Sequence, residues 1–104
     1  MIRHAVFIRF RPSVTDHEIA DMFDAVGALR AQLPGIRAVD VGPNVSPEVG
    51  MDKGFSHGFI IDFDTAADRD AYLEHPDHQT IAERLVAAAI DGADGILVFD
   101  METS

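Results

Sequence analysis

A chain of 104 residues is enough for one domain, and 47% hydrophobic against 25% charged residues suits a single packed core rather than a disordered segment. Eighteen acidic against eight basic residues leave a net charge of −10, a field that repels phosphate backbones and anionic headgroups and so argues against nucleic acid or a membrane surface as partner. Cysteine is absent, which removes disulfides and thiolate chemistry, and no apolar run approaches the roughly 20 residues of a membrane span.

The N-terminal MIRHAVFIRFRP sets arginines within a strand-like alternation and lacks the apolar stretch and cleavage site of a signal peptide, so a cytoplasmic, single-domain protein over residues 1–104 is expected. In that stretch Ile2, His4, Val6, Ile8 and Phe10 share one face, and Arg3, Ala5, Phe7 and Arg9 the other. Thr15 and Glu18 have capping-box spacing. Ile19, Met22, Phe23, Val26, Leu29 and Leu33 then recur at helical period until Pro34 and Gly35 end the helix. Ile36 to Val41 reads as the second strand, and PNVSPEVGMDKG (43–54) as a long surface loop. Phe55 to Phe63 is predicted as the third strand, with Phe55, His57, Phe59, Ile61 and Phe63 on one face. Thr65 caps a short helix that ends near His75, because the residue before Pro76 is pushed out of the α region. A further helix is predicted from about Asp77 to Ile90, with His78, Ile81, Leu85 and Ala88 or Ala89 on its inward stripe, and Ile96 to Met101 closes the chain as a strand.

The order β-α-β-β-α-α-β predicts an α+β domain with a ferredoxin-like four-stranded antiparallel sheet and all helices on one face. The first and third strands are expected as parallel neighbours at its centre. The opposite face is left with Phe7, Val39, Val41, Ile60, Leu97, Phe99 and Met101, too apolar for a solvated sheet. A second copy is the economical cover, giving a homodimer in which two sheets form an α+β barrel. Burying those side chains contributes roughly 10 kcal/mol before the costs of association.

Parallel pairing would set His4 and His57 in one row, about 5 Å apart. Both lie on the helix-covered face, and His78 points inward from the last helix. Three imidazoles would then converge between sheet and helices with Tyr72 at the edge, where a small ligand belongs. The expected lining is His4, Val6, Ile8, Met22, Phe23, Val26, His57, Phe59, Ile81 and Val98.

HAVFIRFRP, LPGIRAVDVGPNVSPE, GFSHGFIIDFDT, AYLEHPDH and ILVFDME, in that order along the chain, resemble the stress-responsive dimeric α+β barrel (Dabb) family. The resemblance implies a dimer with helices outside. The family includes plant polyketide cyclases of the olivetolic acid type, in which a tyrosine and a histidine promote aldol closure without a cofactor. Those two match Tyr72 and His78, which are thereby implied as catalytic, with no cofactor; His4 and His57 match further pocket histidines. Val26 and the small residues near Ala93 stand where the cyclases carry aromatic residues, which implies a pocket of different shape and a different ligand.

Three function classes stay open. One is a cofactor-independent cyclase or lyase acting on a small, mostly apolar carbonyl compound, with His78 as general base and Tyr72 orienting or protonating an enolate oxygen. The second is a stress-response or small-molecule binding protein without turnover, in which His78 serves the helix start and Tyr72 is a core aromatic. The third is a metal held by His4, His57 and His78, although the spacing has neither an HxH nor an HExxH signature, and no metal site is assigned. His75 is read as a helix terminator and His17 as a surface residue.

Overall fold

Alternation makes strand β1 (Ile2–Ile8) two-faced: Ile2, His4, Val6 and Ile8 are buried, while Arg3 is exposed and Ala5 and Phe7 are partly covered. Helix α1 (Asp16–Ala28) begins at the expected capping box, in which Glu18 N donates to the Thr15 hydroxyl and Thr15 N to the Glu18 carboxylate. It buries Ile19, Met22, Phe23 and Val26. Its last turn tightens into a 3-10 turn over Leu29–Ala31, so the helix ends earlier than Pro34 alone implied. Thr15→Ala should lower stability by about 1 kcal/mol. An unchanged midpoint of thermal unfolding would show that the cap contributes nothing.

The computed structural model describes residues 1–104, and the remaining elements are β2 (Ile36–Pro43), β3 (His57–Phe63), α2 (Ala66–Glu74), α3 (Pro76–Ala88) and β4 (Ile96–Glu102). The sheet order is β2-β3-β1-β4, and every neighbouring pair is antiparallel. The ferredoxin-like architecture is therefore as expected, but β1 and β3 do not run parallel. The crossover through α1 makes β1 and β2 parallel, and the β2–β3 hairpin then turns β3 back between them. In consequence His4 lies opposite Ile61 and His57 opposite Ile8, four residues apart along β3, about 13 Å rather than one row.

A second correction comes from β2. The register shifts between Ile36 and Ala38, a bulge at Arg37. One extra residue reverses the alternation, so Val39 faces the helices opposite Ile61 and Val41 opposite Phe59, not the outer face. The outer face is left with Phe7, Ile60, Leu97, Phe99 and Met101, the last three about half exposed in the isolated chain. Gly58 makes room for this arrangement, since a Cβ there would stand 2.6 Å from the Phe7 ring. The core lies on the other side, where Ile8, Val26, Ile61 and Phe63 are wholly buried between sheet and helices.

Candidate functional site

The break between α2 and α3 is set by three residues. His75 is extended at φ −67° and ψ 133°, closes α2 and caps α3, its Nδ1 accepting from the Asp77 amide at 3.1 Å. Pro76 takes the first helical position, where its missing N–H costs nothing. The change of direction brings Tyr72 from the end of α2 against His78 from the start of α3, ring centroids 4.4 Å apart and planes inclined by 55°.

Both side chains line an apolar cavity of about 340 Å³ between α2, α3 and the inner face of β1 and β4. His4, Val6, Phe59, Ile81 and Val98 of the expected lining also reach it. Leu73, Leu85, Val86 and Ile96 line it too and were not anticipated. Val98 points to the helix side yet is 57% exposed, because α3 leaves the inner face of edge strand β4 partly uncovered. That gap is the cavity mouth.

The structure does not bring the other expected residues here. Ile8 and Val26 are sealed in the core, Met22 and Phe23 pack on the far side of the sheet's inner face, and Met22 borders a separate groove with Arg11 and Arg84. His57 packs against Phe10 and Phe23 and bonds Ser56 at 2.8 Å. The three-histidine metal arrangement is therefore not assembled, and no cluster of His, Asp and Glu side chains has metal-site geometry. A larger concavity of about 610 Å³ lies between the outer sheet face and the β2–β3 loop, lined by Phe7, Ile60, Met51 and Leu97 among others, but it holds neither Tyr72 nor His78.

Electrostatics divide the cavity's polar groups. His78 Nδ1 lies 3.1 Å from the Leu73 carbonyl oxygen, which can only accept, so Nδ1 carries the proton and Nε2 is free. Burial lowers the His78 pKa below the usual imidazole value, partly offset by that bond and reinforced by the neighbouring His4 and His75. Burial, and then the charge of Asp100, raises the Tyr72 phenol well above its ordinary range, so it stays protonated and able to donate. His4 is 3% exposed and donates from Nδ1 to Asp100 Oδ1 at 2.6 Å, while Arg69 donates to Asp100 Oδ2 at 2.9 Å. Asp100 and Arg69 were missed at the sequence level. The available signal was phase: Ile96, Val98 and Asp100 share one face of β4, so the carboxylate falls in step with inward apolar residues.

The model of the family described as "Stress responsive A/B Barrel Domain" (Dabb) matches residues 2–103. Among solved structures, a dimeric ferredoxin-like protein of unknown function from Jannaschia sp. CCS1 is 33% identical, with 98% of each chain covered and a TM-score of 0.90. The hydroxynitrile lyase from Passiflora edulis is 22% identical over 99% of this chain and 93% of that one, with a TM-score of 0.83. A dabb family protein with a ferredoxin-like fold from Mesorhizobium loti is 20% identical over 99% of this chain and 96% of that one, with a TM-score of 0.74. The last two likenesses show a shared fold. No curated protein gives a significant match.

Proposed function

The chain belongs to the stress-responsive A/B barrel family, and from that premise we propose that it is a homodimer that binds a small apolar carbonyl compound in the helix-side cavity and moves protons on it without a cofactor. The observation that carries this reading is the pairing of Tyr72 and His78 at 4.4 Å in the wall of a cavity otherwise lined mainly by aliphatic side chains. In the proposed step the free Nε2 of His78 takes a proton from the carbon beside the carbonyl. The C–H electron pair becomes the new C=C bond, and the carbonyl π pair moves to oxygen, where the Tyr72 hydroxyl donates to the developing charge. Such chemistry serves aldol-type cyclisation, and a hydroxynitrile lyase of the same fold supports the use of such a cavity for cofactor-free acid–base chemistry on a carbonyl compound.

The homodimer is supported by the half-exposed outer face of Phe7, Ile60, Leu97, Phe99 and Met101 and by the dimeric relative from Jannaschia. Covering these side chains contributes roughly 5–10 kcal/mol before association costs. A cytoplasmic location, expected from the cysteine-free composition, is part of the same proposal; no helix is long and apolar enough to cross a membrane.

Phenylacetone, a small aromatic ketone, is a direct probe of the cavity. At a hundred times its Kd it should stabilise the fold by about 2.7 kcal/mol, raising the midpoint of thermal unfolding. An unmoved midpoint at the solubility limit would count against a cavity built for such ligands.

A further inference from the structure

Cavity, grooves and surface patches all offer candidates, but one arrangement is not used by the His78–Tyr72 reading: the chain Arg69–Asp100–His4. Arg69 of α2 donates to Asp100 Oδ2 at 2.9 Å and to Asp70 at 3.1 Å. Asp100 of β4 accepts from His4 of β1 at 2.6 Å, across residues 96 positions apart in sequence. The far end, His4, is buried against Phe63 and Tyr72, at ring separations of 6.1 and 5.6 Å. Desolvating the His4 imidazole at an apolar wall costs free energy, and replacing such a buried pair by apolar residues of similar volume is often neutral or stabilising. Folding alone does not ask for these three residues.

Tautomer logic gives the chain a use. A carboxylate accepts only, so His4 Nδ1 carries a proton and Nε2 is the atom left to act. His78 is fixed in the same sense by the Leu73 carbonyl. Two imidazoles with free Nε2 atoms thus flank Tyr72, one anchored by a neutral carbonyl and one by a carboxylate that is itself held by a guanidinium. Carboxylate anchoring suits the ring that must take and hold a positive charge, as in the hydrogen-bonded pair of acyl-transfer triads.

We propose that His4, oriented by Asp100 and through it by Arg69, is the second proton-transfer residue of this cavity, paired with His78, and that the substrate class is a carbon acid: a carbonyl compound with a removable C–H beside the carbonyl. This rests on the reading of the cavity given above. The step balances with one proton from solvent, taken up beforehand at His4 Nε2 to give the imidazolium that Asp100 stabilises. His78 Nε2 removes the carbon-bound proton, the C–H pair forms C=C, the carbonyl π pair moves to oxygen, and His4 passes its Nε2 proton to that oxygen to give the enol. The groups around the His4 ring are Asp100 from β4, Arg69 and Tyr72 from α2 and His78 from α3. Asp100 and Arg69 are positioning residues, since they reach the substrate only through His4.

The test follows exchange of the phenylacetone methylene protons for deuterium in D2O by proton NMR, with the intact protein and the variants His78→Ala, His4→Gln, Asp100→Asn, Arg69→Gln and Arg69→Lys. His4→Gln and Asp100→Asn should each slow exchange about 100-fold, with the Kd for phenylacetone within about twofold of the wild type. Arg69→Gln should have a smaller effect that Arg69→Lys reverses. Nitrogen-15 shifts of the His4 ring supply the readout that a merely structural role would leave alone: Asp100→Asn should increase the tautomer protonated at Nε2. Because His4 is buried, Asp100→Asn, nearer the surface, carries the test if His4→Gln does not fold. Wild-type exchange in folded Asp100→Asn, with His78→Ala impaired, would overturn the proposal while leaving His78 as base. No exchange above buffer by the wild-type protein would remove the His78 reading, and this one with it.

Discussion

Phe99→Asp is expected to turn a particle of about twice 11.3 kDa, the mass of one chain, into a monomer, or to abolish folding altogether. In the isolated chain this change is mild, because Phe99 is 56% exposed on the outer face of edge strand β4, opposite Ala5. In a dimer the same position is covered by the partner sheet, and the carboxylate would lose water without gaining a partner. An unpaired buried charge costs about 3–5 kcal/mol and the dimer would carry two, so the dimer Kd should rise by on the order of 10³-fold or more. Ala20→Asp, on the exposed side of α1, is the matched control and should leave the mass unchanged. Sedimentation at micromolar concentration reads both. A wild-type chain that sediments as a folded monomer would remove the second sheet from the account.

His78→Ala has the other large expected effect. Exchange of phenylacetone protons should fall on the order of 10²-fold or more, the usual cost of losing a general base. Tyr72→Phe should cost less, since it removes one donor and keeps the ring. His78 sits half-buried in the first turns of α3, so its removal should leave the fold intact. The pH dependence has a definite sign. Burial holds the imidazole below its ordinary 6.5, so the neutral base is present at pH 7, and the rate should fall only as pH drops through that lowered value. Stability moves the same way: between the two values the unfolded chain binds the proton and the folded one does not, so stability declines as pH falls through that window. Undiminished exchange by folded His78→Ala would leave AYLEHPDH as helix punctuation alone.

Much of this molecule is legible in its residues because local rules acted without opposition. The alternation of Ile2–Ile8 fixed the faces of β1, the Thr15–Glu18 pair marked the start of α1, and Pro76 located the break that brings Tyr72 to His78. The misreadings arise where local pattern is overruled. A bulge at Arg37 adds one residue to β2 and turns Val39 and Val41 inward, and nothing in IRAVDV announces it. Strand direction is a property of the connections, so reading β1 and β3 as parallel carried His57 into a site it does not reach. Phe23, Val26 and Met22 belong to a face of α1 that packs on the core beside the cavity, and helical period alone does not divide one buried stripe between two destinations. The Arg69–Asp100–His4 chain joins α2, β4 and β1, and such a union becomes visible only once the strand order is known.

A crystal structure with phenylacetone tests the central claim most directly. The account places the ketone oxygen within hydrogen-bond reach of the Tyr72 hydroxyl and the methylene carbon beside His78 Nε2, with the aromatic ring toward the mouth at Val98. A cavity filled by its own side chains, or the probe bound only against Phe7 and Leu97 on the other side of the sheet, would contradict it.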